Sequence, residues 1–135
     1  MIAKKPLLPE RIRGIEGSFA FIEHRFLRDG FVQHLSRHEL LVYFFLVLAA
    51  DRQGLSYYSY EKICSQLKLR LDDYIHARDC LIRRDLIAFD GRLFQVLSLP
   101  QAPVAPGKPA KAPLGPQHPE QIGNIVSRLL GDRQC

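Results

Sequence analysis

Few residues in this sequence are arranged for covalent or metal chemistry. His34 and His38 have the i, i+4 spacing of a helical metal pair, but Ser36 between them reads as a helix cap. His34 then lies outside the helix and the one-face geometry that two ligands need is lost. Cys64, Cys80 and Cys135 form no CxxC pair and no framework for disulfides, which fits a reducing cytosol. Cys64 is expected in the core and Cys80 on the outside. His24, His76 and His118 stand alone, no Ser-His-Asp or Cys-His set can be assembled, and the glycines are dispersed among turns rather than gathered to cradle phosphate. The expectation is a protein that is not an enzyme, with no metal and no cofactor.

What remains is charge. The chain has 135 residues, a net charge of +5 and 47% hydrophobic residues. That composition fits one folded domain with a mild bias toward anionic partners. The longest apolar run, "LLVYFFLVLAA", spans eleven residues. A membrane span needs about 18, so this is a buried helix and no membrane partner is expected. The basic start, "MIAKKPLLPERIRG", lacks the apolar stretch of a secretory signal, and the expected compartment is the cytoplasm.

The elements follow from local signals. Residues 1–17, broken by Pro6, Pro9, Gly14 and Gly17, read as a flexible basic arm. "SFAFIEHRF" reads as a short aromatic strand. Ser36 and Glu39 form a capping box at the start of the apolar helix, and Gly54 stops it. That helix is apolar on all sides, so the aromatic segment or a second subunit must cover its outer face. Ser59 caps a second helix whose inward stripe is Tyr60, Ile63, Cys64 and Leu67. Residues 68–71 form a tight connection, and Asp72 is the expected cap of a third helix running to about Asp85. "LIAFDGRLFQVLSL" reads as a hairpin turning at Asp90-Gly91. Residues 18–99 thus form one domain. Residues 100–119, with seven prolines, form a linker. Residues 120–135 form a short amphipathic tail helix, in which Ile122, Ile125, Val126, Leu129 and Leu130 would meet a partner.

The order of strand, buried helix, short helix, tight turn, helix and hairpin resembles a winged helix-turn-helix domain, an α+β and mainly helical fold with the hairpin as wing. "LSRHELLVYFFLVLAADRQGLSYYSYEKICSQLKL" resembles the first two helices of such domains in bacterial and phage replication-initiator proteins, with Tyr58-Ser59 at the second helix cap. "LIRRDLIAF" is similar to the family's end of the recognition helix, with Ile82 replacing a polar residue and Asp85 standing where Gly is usual. The resemblance covers residues 19–99. It implies a small regulatory or replication-associated protein that binds double-stranded DNA, with the third helix in the major groove and the wing near the backbone.

The third helix fits that role poorly. Spacing puts Tyr74, Ile75, Arg78, Leu81 and Ile82 inward, so Arg78 should pair with a carboxylate of another element (Glu39, Asp51 or Glu61) or reach out along its stem. The outward side, Asp73, His76, Cys80 and Arg83 flanked by Asp72, Asp79 and Arg84, carries three carboxylates against two guanidiniums. Asp72 and Asp73 suit a helix start, and Asp79 with Arg83 an i, i+4 pair. Phosphate contacts must then come from the surroundings. The candidates are Lys62, Lys68, Arg70, His76, Arg83, Arg84 and Arg92, with Lys4, Lys5, Arg11 and Arg13 of the arm. The second expectation is a protein-interaction or dimerisation scaffold whose tail helix docks on a partner.

Overall fold

The computed structural model describes residues 4–105. The tail helix and most of the Pro-rich linker lie outside the described residues. The fold is α+β and mainly helical, with a small three-stranded antiparallel sheet. The helices are α1 (Arg25–Arg28), α2 (Phe31–His34), α3 (Arg37–Ala49), α4 (Tyr60–Leu67) and α5 (Leu71–Arg83). The strands are β1 (Leu55–Tyr57), β2 (Ile87–Phe89) and β3 (Leu93–Val96), and β3 lies between the other two. No described helix is long and apolar enough to cross a membrane.

The expected strand in "SFAFIEHRF" does not form. Residues 18–23 carry no regular structure, and Phe26 lies in α1. Phe26 stacks on Phe31 at 5.8 Å and on Tyr43 of α3 at 5.0 Å, so the aromatic residues serve packing across helices rather than a sheet ladder. Burial, with some help from Glu23, pushes the Tyr43 hydroxyl up to about 12. Arg25 ties this corner to the end of the domain. Its guanidinium donates to the carbonyls of Leu99 (3.1 Å) and Pro100 (2.7 Å) and pairs with Asp29 at 3.2 Å.

The capping box is present as expected. Glu39 N–H donates to Ser36 Oγ, and Ser36 N–H donates to Glu39 Oε1. From that cap α3 runs through the core, burying Val42, Tyr43, Leu46 and Val47, and packs most extensively on α5. Its outer side stays open: Phe44 and Leu48 are exposed. Gly54 ends the turn after α3 with φ +85°, and a Cβ there would meet the Val96 carbonyl oxygen at 2.6 Å. Only glycine lets the chain pass β3 this closely. Ser59 caps α4 by accepting from Lys62 N–H, but of the predicted stripe only Ile63 is fully buried and Tyr60 turns outward.

The phase of α5 differs from the sequence expectation. Its buried stripe is Tyr74, Ala77, Cys80 and Leu81, continued by Arg84 at the C-cap, while Ile75 and Ile82 are exposed. Cys80 is therefore inside, not outside. The helix begins at Leu71 after Arg70, and Asp72 lies in the first turn instead of at the cap. This phase brings Arg84 to the start of α3, where its Nε donates to Glu39 Oε1 at 2.9 Å, with both side chains almost wholly excluded from solvent. Arg84, expected to meet phosphate, is instead buried against the start of α3. Arg84→Ala would strand the Glu39 carboxylate and should cost about 3–5 kcal/mol of unfolding free energy in a denaturant titration. The paired replacement E39L/R84M should recover the larger part, leaving only the lost capping-box share.

Candidate functional site

The corner between β1 and α4 is the sequence "YYSY". Tyr57 ends the strand, Ser59 caps the helix, and the chain between them has no room to fold its rings inward. Tyr57 and Tyr60 are largely exposed and Tyr58 is partly so, its ring meeting Phe45 edge-on at 5.1 Å. Opposite this corner stand Tyr74 and Arg78 of α5, one helical turn apart and so on one side. The third wall is the hairpin. Its register pairs Phe89 with Phe94, and the Asp90 N–H donates to the Leu93 carbonyl. The turn is thus centred on Gly91 and Arg92, one residue beyond the expected Asp90-Gly91. Gly91 takes φ +103° at the first central position, where a tight hairpin turn needs it.

These three elements enclose an open cleft of about 640 Å³, lined by Tyr57, Tyr58, Tyr60, Tyr74, Phe89 and the two arginines, with Ser59 and Gly91 at its edge. Four of the chain's five tyrosines therefore meet in one place. The arginines lie over aromatic rings. The Arg78 guanidinium sits 5.2 Å from the Phe89 ring centre and 5.6 Å from that of Tyr74, and Arg92 sits 5.7 Å from that of Tyr57. Burial raises the Tyr74 hydroxyl above its ordinary value, and Arg78 opposes this by charge and hydrogen bond.

Arg78 does not reach a carboxylate of another element. It pairs with its neighbour Asp79 at 3.1 Å. Glu39 holds Arg84, and the Asp51 carboxylate accepts from Gln53 and Leu55 N–H groups. Among the described residues Arg92 forms no ion pair, and its place is set by Asp90. The Asp90 carboxylate accepts from Leu93 N–H (2.8 Å) and Arg92 N–H (2.9 Å), which hold it below its ordinary 3.8.

Of the basic residues expected to meet phosphate, the cleft gathers only Arg92. Lys62 stands in the first turn of α4, close behind the Ser59 cap. Lys68 ends α4 in the left-handed conformation (φ 58°), and Arg70 precedes α5; both are exposed. His76 is half-buried, with Nε2 3.6 Å from Cys80 Sγ, and Arg83 is exposed at the far end of α5. Lys4, Lys5, Arg11 and Arg13 are exposed along the arm, whose one regular feature is a 3-10 turn over Pro9–Arg11. The outward side of α5 shows Leu71, Ile75 and Ile82 beside Asp72 and Arg83. Sequence reasoning missed Tyr57, Tyr58, Tyr60, Tyr74 and Phe89 as site residues. The signal was the crowding of four tyrosines between positions 57 and 74.

Among the described residues, no three His, Cys, Asp or Glu side chains are grouped to hold a metal ion. Compared with protein-family models, with curated proteins and with solved structures, the chain matches none of them.

The hairpin rim should be sensitive to acid. A carboxylate with a lowered folded value contributes above its unfolded value and stops contributing as pH falls through the lowered one. The amides of Arg92 and Leu93 should therefore lose exchange protection as pH falls through that lowered value. D90A should show that loss already at neutral pH, read by amide exchange in NMR.

Proposed function

We propose that this chain binds DNA through a winged-helix-like face, as a small cytoplasmic regulatory or replication-associated protein. The observation that carries the reading is the convergence of the β1–α4 corner, α5 and the hairpin tip on one cleft that presents Arg92 and the start of α4. In this reading α3, α4 and α5 are the three helices, Lys68 and Arg70 stand at the tight turn, and β2–β3 is the wing. Phosphates would be met by Lys62, Lys68, Arg70 and Arg92, and by Lys4, Lys5, Arg11 and Arg13 on the arm. A helix N-terminus beside a wing tip favours an anionic backbone, because free amides and arginine both face it. The outward side of α5 has little to offer phosphate, so it would lie near the duplex without supplying most of the affinity.

Affinity for a random 20-bp duplex should fall linearly with salt on a double-logarithmic plot. The pair K62A/R92A should flatten the slope by about 2, close to one unit per lost phosphate contact. Absence of binding at low salt would refute the reading.

A second reading, self-association, is favoured by a different observation. Leu41, Phe44 and Leu48 lie on one stripe of α3, and the outer two are more than half exposed. Phe19 and Phe21 of the neighbouring segment are exposed as well, so the cover expected from it is not in place. A second copy could bury both surfaces. Sedimentation equilibrium should then show a dimer for the native chain and a monomer for F44D/L48D with an unchanged circular dichroism spectrum. A monomeric native chain would exclude this reading.

A further inference from the structure

We infer that the tyrosine-lined cleft takes unpaired nucleotides, so that this protein engages single-stranded or locally opened nucleic acid there. The inference rests on the DNA-binding reading and narrows what occupies its central cleft.

The exposed rings are those of Tyr57 and Tyr60, with the Arg92 guanidinium 5.7 Å from the Tyr57 ring centre; Phe89, stacked on Phe94 at 4.1 Å and covered by Arg78 at 5.2 Å, backs the cleft. In a paired duplex the base faces are stacked on one another, and only edges and phosphates are reachable. A base taken out of the stack exposes a face, which stacks on tyrosine or arginine without regard to its identity. The cleft is shallow and open rather than enclosed, which leaves room for a strand to lie across it.

The charges agree. Arg78 is neutralised by Asp79 and stacked between Tyr74 and Phe89, so it serves as a flat floor more than as a free cation. Arg92 lies at the rim, and Lys62 stands in the first turn of α4, whose cap Ser59 also lines the cleft. Phosphates would run along that basic rim while bases point toward the rings. The exposed side of α5 argues the same way from the opposite direction. Leu71, Ile75 and Ile82 stand there with Asp72, and the exposed Arg83 lies at the far end, so most of the length offers a major groove little positive charge.

The test uses the full chain, a dye-labelled mixed-sequence 12-nucleotide single strand, and the same sequence as a duplex. Anisotropy titrations should show the single strand binding more tightly than the duplex at equal salt. Y57A/Y60A, whose rings are exposed and whose thermal melt should match the native chain, should weaken single-strand binding by about 5- to 100-fold, the range expected for a lost base–ring stack. The same variant should weaken duplex binding less than single-strand binding. A strand carrying 5-iododeoxyuridine should photocrosslink within residues 57–60. If the duplex binds and the single strand binds no better, or if the variant weakens both equally, the inference falls while DNA binding stands. If neither nucleic acid binds at low salt, both readings fall.

Discussion

The ion pair between Glu39 and Arg84 fixes the rest of this structure. Glu39 sits at the beginning of α3 and Arg84 at the end of α5, 45 residues later, with 2.9 Å between Oε1 and Nε. The same Oε1 also accepts from the Ser36 amide, so one oxygen both closes a helix start and ties two helices together. Each charge suits its own helix, since a carboxylate is favoured at an N-terminus and a guanidinium at a C-terminus. Neither could be buried alone, because the desolvation cost of an isolated ion exceeds what this small core can offset. Pairing makes the rotation of α5 about its axis nearly all-or-none: any turn that exposes Arg84 strands Glu39.

That rotation explains what the sequence showed and what it hid. The caps at Ser36 and Ser59 and the hairpin around Gly91 were legible, because each depends on a few adjacent residues, whereas α3 ends at Ala49, well before the Gly54 expected to stop it. The phase of α5 was not. Counting apolar residues places Ile75 and Ile82 inward, but the helix buries Ala77, Cys80 and a charged residue instead. The deciding partner is remote in sequence and sits in a capping box, where Glu39 already has a sufficient local reason to exist. β1 was missed for a related reason. Three residues are too few to show alternation, and Leu55–Tyr57 becomes a strand only because β3 pairs with it. The aromatic stretch around Phe21 and Phe26 gave the opposite error, since rings suited to a strand serve helix packing just as well.

The cleft was hidden in the same way. Its residues were visible one by one and plausible in ordinary roles: Tyr60 as an inward helix residue, Tyr58 as part of a cap, Phe89 as a strand residue. Only the fold brings the β1–α4 corner against the hairpin, and β1 pairing with β3 is what does so. The basic residues expected to meet phosphate were easier to see and less informative, since of them only Arg92 reaches the cleft and Arg84 turns inward to a structural duty.

The phase of α5 links these points. With Arg84 held against Glu39, Arg78 comes to lie over Phe89 and beside Tyr74, where it floors the cleft. The same rotation turns Leu71, Ile75 and Ile82 outward, so that the exposed side of the helix carries these apolar side chains beside Asp72 and Arg83. The buried pair and the cleft are thus two results of one rotation: the turn that keeps Arg84 on Glu39 also sets Arg78 against Phe89 and Tyr74.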